Sequence, residues 1–170
     1  RWLVHGFSTR PGGHSKAYGG ALNLGYTRHD ARRAVERNRE LFLKSLGVPR
    51  WKLVTARQVH SDHIHLVDRL PEKPLPGDGL ITATPGLLLA VQAADCLPVL
   101  LADPRRRAVG AFHAGWRGTL KRIVGKGVGV MRQAFGSRPE ELLAAIGPGI
   151  GACCYAVGDE VRDKFHSQFT

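Results

Sequence analysis

Three apolar runs between Gly86 and Gly115 constrain this chain more than any other feature. "GLLLAVQAADC" and "LPVLLADP" are each of buried-strand length and are separated by Ala94, Asp95 and Cys96. "RAVGAFHAG" follows a turn in which Pro104 presets φ and Asp103 can accept hydrogen bonds from its own backbone. The spacing predicts a hairpin from Leu97 to His113.

Helices flank these strands. "DARRAVERNRELFLKSLGVP" reads as one, with Asp30 as N-cap, Ala31, Ala34, Val35, Leu41 and Phe42 as an apolar stripe, and Gly47 with Pro49 as the stop. Asn38 lies on that stripe, so its amide either bonds a neighbouring loop or sits at the boundary. "TLKRIVGKGVGVMRQAF" carries Leu120, Val124, Val128, Met131 and Phe135 at helical spacing. Gly125, Gly127 and Gly129 each cost that helix about 1 kcal/mol relative to alanine, which implies close packing against a sheet or another backbone. "KLVTARQVHSDHIHLVD" reads as two strands, or one bent strand, broken near His60 to Asp62. "RLPEKPLPGDG" is a loop marking an insertion or a lid. "ELLAAIGPGIGACCYAVGDEV" gives a turn or short helix, a strand, a loop and a last helix near Gly158, in what is expected to be a mixed sheet.

At 170 residues and 43% hydrophobic composition, the chain suits a single domain over 1–170. No run reaches the roughly 20 apolar residues of a membrane span. Three cysteines do not make a disulfide framework, and the adjacent Cys153 and Cys154 are awkwardly placed to bridge, so a reducing, cytoplasmic setting is expected. The net charge of +11 points to anionic partners. Many of the arginines, however, fall on the stretch from Asp30 to Leu46 and in "RRR" at 105–107, where a solvated helix face and a hairpin tip account for them. No nucleic-acid-binding module is present.

The chemistry concentrates where buried strands end. His60 in "QVH", Cys96 in "ADC" and His113 in "FHAGW" could form two imidazoles and a thiolate around a zinc ion that keeps a fourth position open. The same residues fit a Cys-His nucleophile pair, or ordinary core and capping roles, and their long, irregular spacing does not choose among the three. His63 and His65 compete as ligands, but their alternation with Ile64 and Leu66 suits an exposed polar face. Arg117, placed just before a helix starting near Thr119, is either an anion contact at a helix start or a surface ion pair. Trp116 either stacks on a flat ligand or closes the core. "STRPGG" and "LNLG" are glycine-bounded loops that carry Arg10 and Asn23, a cradle for phosphate that matches no standard P-loop.

In order along the chain, "HGFSTRPGGHS", "LNLG", "NRELF", "QVHS", "AVQAADCLPVLLAD", "AFHAGWRGT" and "AIGPGIGACCYAVGDEV" resemble the laccase-domain family, also called YfiH-like and long labelled multicopper polyphenol oxidases. The resemblance implies an α+β fold, a four-layer α/β/β/α sandwich with mixed sheets. It also implies a zinc site of His60, Cys96 and His113 that doubles as the catalytic centre, with Arg10, Asn23 and Arg117 on family motifs as the residues inferred to bind substrate and phosphate. The implied partners are purine nucleosides and inorganic phosphate, with neither nucleic acid nor membrane among them. The implied reactions are phosphorolysis of adenosine, inosine, guanosine and methylthioadenosine to base plus ribose 1-phosphate, and deamination of adenosine to inosine. Two departures stand out: Ser61 where the family usually has glycine after "QVH", and "GDGLIT" for the commoner "ADALIT". Family members run some tens of residues past "VGDEV", so the resemblance also implies that the C-terminal part is missing and the domain is truncated at both ends.

Two rivals remain. Four-copper laccase chemistry needs many ligating histidines, whereas the chain has eight, with one His-x-His pair. Cu2+ could still occupy the His-Cys-His site and give weak phenol oxidation, because copper binds such ligands more tightly than zinc. The second rival is a Cys-His amidase or deamidase with Cys96 as nucleophile and His113 as base.

Overall fold

The computed structural model describes residues 2–16 and 20–169. The chain divides into two compact units, Arg1–Lys52 and Leu53–Thr170.

In the first unit, helix α1 spans Arg32–Ser45 and buries Val35, Asn38 and Leu43. Its buried stripe is rotated from the one expected, with Leu43 inside and Leu41 37% exposed. Ala31 takes the N-cap position instead of Asp30, without a side-chain cap. The Asp30 carboxylate is engaged elsewhere, accepting from Asn23 Nδ2 at 2.8 Å, and Ser15 and Asn23 hold it below the usual carboxylate range. At the other end Gly47 turns the chain at φ +75°, as the sequence predicted. Asn38 is fully buried and organises the loop ahead of the helix. It accepts from His14 N at 2.7 Å and donates to Ser15 Oγ at 2.8 Å and Asn23 O at 2.9 Å.

The second unit is built on a five-stranded sheet. Its strands are β2 (Ile64–Leu66), β3 (Gly79–Thr82), β5 (Leu97–Asp103), β6 (Ala108–Ala114) and β7 (Leu143–Ile146), in the order β2-β3-β6-β5-β7. β2 and β3 run parallel and the other pairs antiparallel, so the sheet is mixed. The predicted hairpin is β5–β6, in register from Leu97↔Ala114 to Asp103↔Ala108. Asp103 Oδ1 accepts from the amides of Arg105 and Arg106, both at 2.9 Å, and the three arginines do occupy the tip. A second sheet pairs β1 (Lys52–Thr55) with β4 (Leu87–Ala90). The proline-rich loop is the crossover between the parallel strands β2 and β3, held by Arg57 N to Leu75 O at 2.8 Å and Gly77 N to Arg57 O at 3.1 Å.

Side chains alternate across the sheet and feed two cores. On one side Ile81, Val99, Leu101 and Phe112 meet Ile123 and Met131 of helix α3 (Ile123–Phe135). On the other Leu80 joins Val54, Val67 and Leu87. The predicted helix after the hairpin is two helices, α2 (Trp116–Leu120) and α3, separated at Arg122, whose φ is +57°. Of the three glycines of α3, only Gly127 packs closely, against Phe112. Helix α4 (Asp159–Phe169) follows the glycine-rich loop, as expected near Gly158. No helix among the described residues is long and apolar enough to cross a membrane.

Candidate metal centre

The hairpin register sets the first two members of the site. Pro98 faces His113 and Leu97 faces Ala114, so the next positions outward are Cys96 and Gly115. That places a thiol and an imidazole at the same open end of one strand pair. His60 arrives from the break between β1 and β2, in a left-handed conformation at φ +56°. A side chain with a Cβ pays roughly 1–2 kcal/mol to sit there, so something must hold it.

The three donor atoms of His60, Cys96 and His113 lie within 4.8 Å of one another, with His60 exposed, Cys96 half-buried and His113 buried. The two imidazoles meet edge to face at 5.0 Å. Gly115 leaves the approach clear. A Cβ there would lie 3.0 Å from Cys96 Sγ and 3.3 Å from His60 Cδ2, in the space the donors face. His63 and His65 are not in the cluster, and His65 Nε2 instead bonds Pro76 O at 2.9 Å.

Asp78 is the residue that sequence reasoning missed. It is fully buried at the start of β3, and its Oδ1 lies 2.8 Å from His113 Nδ1. Burial opposes its charge. Hydrogen bonds from the Ser61 backbone, His113, the Ser61 hydroxyl and Val59 outweigh that penalty and keep its carboxyl below the usual range. The available signal was "GDG" before the apolar "LIT". A carboxylate between two glycines at a strand start has a reason to be there, but the motif stood out only as a departure from "ADALIT". Cys96 is affected in the opposite direction: burial, then the charges of Asp95 and Asp78, push its thiol pKa up.

The remaining candidates sit as follows. Arg117 is the second residue of α2, not a residue ahead of a helix, and its guanidinium lies 4.2 Å over the Trp116 ring. Arg10 and Asn23 belong to the first unit. Arg10 is exposed and its carbonyl accepts from Leu22 N at 2.6 Å, while the Asn23 amide bridges Asp30 and the Gly25 amide.

Residues 4–170 match the family model described as multi-copper polyphenol oxidoreductase laccase. The chain belongs to this family. Members similar to it carry a different activity in their names. A purine nucleoside phosphorylase of Deinococcus radiodurans is 42% identical over 165 residues, covering 97% of this chain and 64% of its own length. The purine nucleoside phosphorylase YlmD of Geobacillus stearothermophilus is 38% identical, covering 95% of this chain and 62% of its own. The crystal structure of that YlmD superposes with a TM-score of 0.85, and Bacillus licheniformis YfiH with 0.86 at 39% identity. The chain thus spans a little under two thirds of the length of these relatives.

Proposed function

We propose that this protein is a zinc-dependent purine nucleoside enzyme. It phosphorolyses adenosine, inosine, guanosine and methylthioadenosine to base plus ribose 1-phosphate, and deaminates adenosine to inosine. The observation that carries the reading is the convergence of the His60, Cys96 and His113 donors within 4.8 Å. Relatives named purine nucleoside phosphorylases align with nearly the whole chain and support the substrate class.

The donor set fits zinc: two nitrogens and a sulfur, with one side left open above Gly115. His113 would bind through Nε2, since Nδ1 is committed to Asp78. Held by His60, Cys96 and His113, a zinc ion would supply Lewis-acid stabilisation to the purine or to water. In phosphorolysis a phosphate oxygen bonds to the anomeric carbon as the bond to the purine nitrogen breaks, and the base leaves with that electron pair and takes up a proton. In deamination water replaces the exocyclic amine, which leaves as ammonia. Arg117 is the proposed contact to phosphate, and the cytoplasm, with its reducing poise, the proposed location.

Adenosine given to the zinc-loaded protein in full length should yield adenine and ribose 1-phosphate only when phosphate is added, and inosine without it. Chromatography of both reactions decides the matter, and release of neither product would overturn the proposal. Arg117→Ala should raise the KM for phosphate about ten-fold, the worth of one charge-assisted hydrogen bond at about 1.5 kcal/mol. The KM for nucleoside should change less. An unchanged phosphate KM would return Arg117 to its stacking role on Trp116.

The rival amidase reading draws on the series Asp78, His113 and Cys96, which would serve as orienting carboxylate, base and nucleophile. Stoichiometric zinc that blocks alkylation of Cys96 would count against it.

A further inference from the structure

We infer that Asp78 is the positioning residue of this centre, setting both histidines in ligating geometry before any metal arrives, and that Ser61 completes its hold. The inference rests on the metal reading above.

Its two oxygens connect separate parts of the site. Oδ1 accepts from His113 Nδ1 at 2.8 Å and from the His60 amide at 3.1 Å. Oδ2 accepts from the Ser61 amide at 2.6 Å, the Ser61 hydroxyl at 2.8 Å and the Val59 amide at 3.2 Å. Three consecutive backbone N–H groups therefore converge on one carboxylate, which requires the chain to curl as it does at His60, with φ +56°. The carboxylate stabilises the left-handed turn that brings the His60 ring to within 5.0 Å of His113. The main chain adds a further clamp, since His113 N donates to Asp78 O at 2.8 Å and Asp78 N to His63 O at 3.0 Å.

The bond to His113 also fixes a tautomer. A carboxylate only accepts, so Nδ1 carries the proton and the Nε2 lone pair is left for a metal. The flanking glycines let Asp78 reach this position. A Cβ at 77 would lie 2.9 Å from His63 O, and one at 79 would lie 2.7 Å from Ile64 Cγ1. Ser61 supplies a hydroxyl donor to Oδ2 beside its own amide, and its oxygen also accepts from His63 N at 3.2 Å.

The first test needs neither metal nor a variant. Long-range proton–nitrogen NMR of the metal-free protein should show the neutral His113 ring carrying its proton on Nδ1, and a ring protonated on Nε2 alone would overturn the inference. Asp78→Asn should shift His113 toward the Nε2–H form and weaken cobalt(II) binding 10–100-fold. Competition with a coloured chelator measures the affinity, and the thiolate-to-cobalt absorption band shows whether Cys96 still ligates. Ser61→Ala, which keeps the backbone donors, should cost only a few-fold. Wild-type cobalt affinity and an unchanged tautomer in Asp78→Asn would overturn the positioning role. If the parent protein bound no cobalt, the metal reading would fail instead, while the tautomer would still report on Asp78.

Discussion

Cys96→Ala protein is expected to melt near the temperature of the metal-free parent, to retain little or no zinc, and to lose both purine reactions. Cys96 contributes the only sulfur of the cluster and stands outside the buried core, so its removal takes away a donor without opening a cavity. Loss of the metal removes Lewis-acid stabilisation worth on the order of several kcal/mol, about a thousand-fold or more in rate. His113→Ala should match it in activity but melt lower, because it also strips the buried Asp78 of a hydrogen-bond donor. Zinc per chain, measured by elemental analysis on protein purified without added metal, is the deciding quantity. Full occupancy in Cys96→Ala would sink the ligand assignment. Alkylation adds a separate check: zinc should protect Cys96 from iodoacetamide, whereas an amidase nucleophile would react and take the activity with it.

How much of this was legible in the sequence depends on whether the signal was local. The β5–β6 hairpin was readable because Pro104 and Asp103 fix the turn chemically and the apolar runs on either side fix its arms. The stop of α1 was readable for the same reason, since Gly47 alone adopts its positive φ at no steric cost. The start of α1 was misread because Asp30 has two competing uses, and the Asn23 amide took the carboxylate that a cap would need. The break at Arg122 had no glycine or proline to announce it.

The metal-ligand candidates could be named because each ends a strand, yet the reason they meet was not visible. That reason is a pairing between residues 17 to 35 positions apart, in which one carboxylate at 78 gathers the amides of 59, 60 and 61 and the ring of 113. Spacing along a chain does not encode such convergence. Only the parallel crossover between β2 and β3, which brings the start of β3 under the His60 turn, creates it.

Gly127→Ala should destabilise the protein by about 2 kcal/mol, although alanine is the better helix former. A methyl at 127 would lie 2.4 Å from Phe112 Cε1 and 2.5 Å from Cζ, well inside contact distance. The ring cannot retreat. Phe112 is fully buried, and positions 110 and 79 approach it so closely that a Cβ at either would lie 2.6 Å or 2.9 Å from the same ring. The overpacking cost then falls near the top of its usual range of about 1–3 kcal/mol, less roughly 1 kcal/mol of helix propensity regained. In a chain of this size that lowers Tm by about 4–8 °C. Gly129 supplies the control two residues along the same helix, exposed and with nothing within 4 Å of a Cβ. Gly129→Ala should gain up to about 1 kcal/mol and raise Tm by roughly 2–4 °C. Calorimetry of the two variants should therefore give shifts of opposite sign. Equal shifts would mean that helix propensity alone governs α3 and that Phe112 is not confined. Opposite shifts would show that the aromatic ring beside His113 is held in place by the absence of side chains around it.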